Sequence, residues 1–174
     1  TAQPGWFFIG WYQDSGETAV STSKSYEYTV GIADVTFTAK FIEDKLYQAE
    51  QAKETFDEAQ NKDSLTWKIL TDAMDAYTAV PELLGQVQSI NGLLTENEKT
   101  NLEDRYTNLT TYYNGIEALD LSDQGIGNDD LAKLNLFTGV TDLNFSGNKG
   151  VTDLSKLPNT MQPETLDISG TGVI

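Results

Sequence analysis

Residues 120–130 read Asp-Leu-Ser-Asp-Gln-Gly-Ile-Gly-Asn-Asp-Asp, with four aspartates, one asparagine and two glycines in eleven positions. Oxygen donors packed this densely around glycine are the raw material of a calcium loop. An EF-hand loop needs oxygen ligands at its first, third and fifth positions, glycine at the sixth and a bidentate carboxylate at the twelfth. Counted from Asp120, the early positions are Asp120, Ser122, Gln124 and Gly125, but the twelfth is Leu131. The ligand that would close the coordination shell is an apolar side chain, so no metal is expected here and the spacing needs another cause.

Other chemistry is narrowly bounded. Cysteine and histidine are both absent, which removes disulfides, thiolate metal sites and every Cys–His or Ser–His catalytic pair. Zinc without either ligand type would be unusual, and no cofactor is expected. A pair of carboxylates, as in glycoside hydrolysis, is the one catalytic arrangement left. With 27 Asp and Glu such pairs arise by chance and no spacing singles one out, so the chain is not expected to be an enzyme. The net charge of −16 leaves no basic stripe for phosphate contacts, which argues against nucleic acid and anionic membrane surfaces as partners. No apolar run approaches the ~20 residues of a membrane span.

The elements that would position such residues show three different periods. Residues 6–41 read as strands of a half-buried antiparallel sheet: Trp6–Tyr12 is a continuous apolar run followed by a turn at Asp14-Ser15-Gly16, Tyr26–Val30 alternates, and Val35, Phe37, Ala39 and Phe41 alternate again. The aromatic cluster Trp6, Phe7, Phe8, Trp11 and Tyr12 fits the core of a small sheet, and also a platform on which a sugar could stack. From about residue 42 the step becomes three and four. Leu46, Ala49, Phe56 and Ala59 form one helical stripe. Leu65, Ile69, Leu70, Ala73, Met74 and Tyr77 form a second, and Leu83, Leu84, Val87 and Ile90 a third that opens with Pro81 and stops at Asn91-Gly92. Thr95 and Glu98 have capping-box spacing ahead of a fourth helix carrying Leu102, Tyr106, Leu109 and Tyr113. A small helical bundle is the expectation.

From Ile116 onward the period lengthens again. Leu119, Leu143 and Leu166 correspond, then Leu121, Phe145 and Ile168, then Ser122, Ser146 and Ser169, at steps of 24 and 23 residues. That length and the L-x-x-L-x-L-x-x-N-x-L spacing are the signature of leucine-rich repeats, although Gln124 and Thr171 replace the asparagine found at Asn148. The repeat accounts for the opening stretch: Leu121 points inward, Asp120 and Ser122 point to an open face, and Gly125 makes the turn.

These units resemble the repeats of bacterial surface proteins of the internalin group. The N-terminal stretch PGWFFIGWYQDSGETAVSTSKSYEYTVGIADVTFTAKF is similar to the B-repeat of the same proteins, entered mid-module at Thr1–Gly5. The expected fold is α+β and multi-module: residues 1–42 a partial B-repeat-like β module, 43–114 a helical bundle that caps the solenoid, and 115–174 about three leucine-rich repeats. Both ends read as cuts in a longer parent chain. The resemblance implies a secreted or wall-attached protein of a Gram-positive-type bacterium, with a binding or adhesion role toward a protein or host surface. The alternatives are a spacer without a ligand, and an accessory module of a surface carbohydrate-active enzyme. The expected contact face is a polar ladder of Asp120, Ser122, Asp142, Asn144, Ser146, Asp167 and Ser169, flanked by Ala118 and Thr165. Weak self-association through the terminal repeat or the open sheet is also expected.

Overall fold

A computed structural model describes residues 2–174, so Thr1, the first residue of the mid-module stretch, lies outside it. The aromatic run forms β1 (Trp6–Gln13), antiparallel to β2 (Phe37–Glu43), with Phe8 opposite Phe41 and Trp11 opposite Ala39. A bulge between Phe8 and Gly10 shifts the register. Gly10 is required there: its φ is +146°, and a Cβ would stand 2.8 Å from the Ala19 methyl. One face of this sheet presents Phe7 and Ile42 to the helices, while Tyr12 is buried with the Lys40 ammonium 3.9 Å above its ring.

Tyr26–Val30, read above as a strand, is irregular. Among the described residues its alternation has no strand to pair with. Tyr26 and Tyr28 instead pack edge-on against Phe37, at centroid distances of 5.4 and 4.9 Å, and Val30 is left exposed.

Four helices follow. α1 (Lys45–Asn61) is capped by Asp44, whose carboxylate accepts from the Tyr47 N–H at 3.0 Å. Thr66 caps α2 (Trp67–Thr78), and α3 (Val80–Ser89) begins with Pro81 in its first turn. Gly92 then takes φ +72°, the left-handed stop that Asn91-Gly92 suggests. α4 (Glu96–Asn114) opens with both halves of the capping box: the Glu98 N–H donates to Thr95 Oγ1 and the Thr95 N–H to Glu98 Oε2. The Arg105 guanidinium on α4 grips Glu50 on α1 through two bonds of 2.8 and 2.6 Å, a planar fork that fixes the two helices side by side.

The C-terminal third forms a parallel sheet in the order β3 (Ala118–Asp120), β4 (Asp142–Asn144), β5 (Thr165–Asp167). Leu119, Leu143 and Leu166 stand in register across it, as the 24- and 23-residue steps require. The solenoid expected from those steps is nevertheless corrected. The strands are three residues each, the sheet neither closes nor extends beyond three of them, and every residue of β5 is exposed.

A stack of repeats would bury its inward residues chiefly against the neighbouring units. Here Leu119, Leu121, Leu143 and Phe145 share one continuous core with Phe56 of α1, Leu70 and Met74 of α2 and Tyr113 of α4, joined through Phe137. Phe137 stacks on Phe56 at 5.8 Å. Over the described residues the multi-module expectation yields to an α+β fold with four helices and two small sheets, whose helices and parallel sheet bury each other.

The ends of α1 and α2 also bond to the β3 unit. Gln60 near the end of α1 donates to the Ala118 carbonyl at the β3 edge, and the Trp67 N–H at the start of α2 donates to Gln124 at 2.9 Å.

Candidate binding face

The polar ladder lies on the side of the parallel sheet away from the core. Its outermost row is Ala118, Asp142 and Thr165, all exposed; the second is Asp120, Asn144 and Asp167; the third is Ser122, Ser146 and Ser169. All seven polar residues expected on this face are therefore brought together.

The second row is engaged in its own backbone. Asp120 Oδ1 accepts from the Ser122 N–H at 3.0 Å, Asn144 Oδ1 from the Ser146 N–H at 2.9 Å, and Asp167 Oδ1 from the Ser169 N–H at 2.8 Å. Three identical turns lock each strand end. The Ser169 N–H and hydroxyl hold the Asp167 carboxyl below the usual carboxylate range, so it displays charge and is poorly suited to donating a proton. The outer row is tied once, by the Thr165 hydroxyl donating to Asp142 Oδ1 at 2.6 Å.

The turns after each strand repeat a left-handed glycine. Gly125, Gly147 and Gly170 have φ of +70°, +76° and +69°, a region in which a side chain is strained. Behind them Asn148 is fully buried. Its Nδ2 donates to the Leu121 carbonyl at 2.7 Å and the Phe145 carbonyl at 2.8 Å, and its Oδ1 accepts from the Ile126 N–H at 3.0 Å. In the outer units, Gln124 reaches the Ser122 carbonyl and Trp67, and Thr171 donates to the Ile168 carbonyl.

The oxygen-rich stretch 120–130 is thus occupied with structure. Asn128 clamps the following turn: its Oδ1 accepts from the Thr152 and Asp153 N–H groups and its Nδ2 donates to the Thr152 hydroxyl. Asp130 accepts from the Gly127 N–H at 3.0 Å and from Lys133. Burial pushes the Asp130 carboxyl up, but those two donors outweigh it and hold it below its ordinary range. Among the described residues no three acidic side chains are placed to hold a metal ion.

A cleft of about 250 Å³ runs along the β3 edge, between the polar ladder and the end of α1. Gln60, Asp63 and Leu65 form its far wall. The sequence does not link these three to the ladder, because Gln60 lies on α1 and Asp63 and Leu65 lie in the connection from α1 to α2, more than fifty residues before β3. The N-terminal aromatics divide. Phe7 faces the helices and Tyr12 is buried, whereas Trp6 and Phe41 are 48% and 40% exposed. Comparison of the chain with protein-family models, with curated proteins and with solved structures finds no match. No helix among the described residues is long and apolar enough to cross a membrane.

Proposed function

We propose that the chain is a non-catalytic binding module of a bacterial cell-surface protein, contacting a protein partner through the open face of its parallel sheet. The observation that supports this most is the outer row of Ala118, Asp142 and Thr165: three side chains in register across the parallel sheet, all exposed. A sheet face held rigid by its own turns is a pre-organised surface, which lowers the ordering cost of binding. The resemblance of both ends of the sequence to internalin-like surface proteins supports the location. With a charge of −16, the chain is suited to charge-complementary recognition of a basic surface, and without Cys or His it has no Cys–His or Ser–His pair.

A second reading, a spacer without a ligand, is favoured by the way Asp120, Asn144 and Asp167 spend an oxygen each on their own turns. Adhesion separates the two. Beads coated with the chain should attach saturably to epithelial monolayers, with soluble chain competing. The triple variant Ala118→Lys, Asp142→Lys and Thr165→Lys should lose that attachment with its melting temperature little changed. Attachment no greater than that of albumin-coated beads would leave the spacer reading standing in place of this one.

A further inference from the structure

The aromatic side of the β1–β2 sheet has a use that the polar ladder does not share. Trp6, Phe8 and Phe41 line one side of a groove of about 810 Å³, within the ~300–1,000 Å³ typical of small-molecule sites. Phe8 packs edge-on against Phe41 at 5.5 Å and against Trp11 at 5.8 Å, so the platform is braced, while Trp6 stays about half exposed. α4 supplies the other side with Asn97, Asn101 and Arg105. Asn97 and Asn101 are one helical turn apart, and their amides have no hydrogen-bond partner among the described residues. Arg105 binds Glu50 through Nε and one Nη, which leaves the other Nη without a partner there.

We infer that this groove is a binding site for a neutral saccharide. A pyranose ring has an apolar face of C–H groups, which lies against aromatic rings, and a rim of hydroxyls, which pairs with planar amide and guanidinium groups. The groove offers both chemistries, and the charges it adds, Lys24 and Glu98, stand 4.0 Å apart and offset each other. An apolar peptide would cover the rings but bury three polar groups without partners, which opposes its binding. An anionic glycan, or a second copy of the chain, meets a protein of charge −16, and the two cations lining the groove are already engaged, Lys24 with Glu98 and Arg105 with Glu50. Neutrality and amphipathicity are what remain.

The test is an NMR titration of the intact ¹⁵N-labelled chain with four neutral trisaccharides: cellotriose, maltotriose, mannotriose and triacetylchitotriose. The three tryptophans give separate indole signals, which serve as internal controls. At least one sugar should shift the Trp6 indole and the Asn97 and Asn101 side-chain amides saturably, with the Trp67 indole unmoved. Trp6→Ala and the double variant Asn97→Ala/Asn101→Ala each remove exposed side chains, so both should fold, and each should weaken binding at least tenfold. The inference is overturned if no sugar moves these signals at millimolar concentration. It is equally overturned if the signals move only with protein concentration, which would put a second copy in the groove, or only with a hydrophobic peptide.

Discussion

Replacing Asn148 should damage the fold far more than replacing any other polar residue of the C-terminal third. In Asn148→Ala the Leu121 carbonyl and the Ile126 N–H each lose their one side-chain partner, in a site with no solvent exposure. The Phe145 carbonyl is less affected, because it still accepts from the Asn148 N–H at 3.2 Å. Two orphaned buried groups at about 1–2 kcal/mol each, with a smaller loss at the third, give a cost of about 3–4 kcal/mol. That is a large share of the ~5–15 kcal/mol stability of an ordinary domain. Asn148→Asp should be worse at neutral pH, since a carboxylate would face two carbonyl oxygens in a buried site. Burial raises the pKa of such a carboxyl, so its penalty should shrink as pH falls and the protonated form regains a donor. Gln124→Ala, at a half-buried edge, should cost only about 1 kcal/mol. Urea unfolding followed by far-UV circular dichroism and tryptophan fluorescence measures all three. Because helices and sheet share a core, both signals should shift to lower urea together in Asn148→Ala. A loss below about 1 kcal/mol with an unchanged slope would refute the view that this amide locks the turns together.

Other consequences are as direct. The Tyr113 hydroxyl is buried without a partner among the described residues, and burial pushes its pKa upward, so Tyr113→Phe should be neutral or stabilising by up to about 1 kcal/mol; a clear loss of melting temperature would reveal a partner that the fold conceals. The Thr95 N–H and hydroxyl hold the Glu98 carboxyl below its usual range, so its contribution is present above the unfolded pKa and is lost as pH falls through the folded one. The stability gap between wild type and Glu98→Gln should therefore be present at pH 7 and close on acidification, and Thr95→Ala should cost about 1 kcal/mol; a gap independent of pH would remove the capping role of the carboxylate. Millimolar calcium or EDTA should move the melting temperature by no more than about 2 °C, whereas saturating a specific site at a hundredfold excess over Kd would add ~2.7 kcal/mol. Leu166 is 39% exposed on β5, whose outer edge pairs with no described strand, so sedimentation should show weak association that strengthens as salt screens the charge of −16; a monomer at every salt and concentration would contradict this.

What could be read from the residues was local or periodic. The Thr95–Glu98 box depends on four consecutive residues and nothing else, and it forms as expected. The matched spacing of Leu119, Leu143 and Leu166 sets a register, and that register is observed. A period says which residues share a face but not what covers them, and this is where reading failed. Tyr26–Val30 alternates without a partner strand, so Val30 points into solvent. The 24- and 23-residue steps suggested units stacked on one another, whereas Phe56, Leu70 and Tyr113 from the helices fill the space behind the strands. The saccharide groove was out of reach for the same reason. Its platform was visible as an aromatic cluster, but Asn97, Asn101 and Arg105 become its opposite side only when α4 packs beside the N-terminal sheet.

The proposed function places a protein partner on the outer row of the parallel sheet. Its most direct test is equilibrium binding of the chain to an array of purified extracellular proteins, with the Ala118→Lys/Asp142→Lys/Thr165→Lys variant and Trp6→Ala measured in parallel. The account predicts at least one protein bound saturably by the wild type, bound at least tenfold more weakly by the triple variant, and unaffected by Trp6→Ala. Identical profiles for wild type and triple variant, or a loss confined to Trp6→Ala, would contradict it.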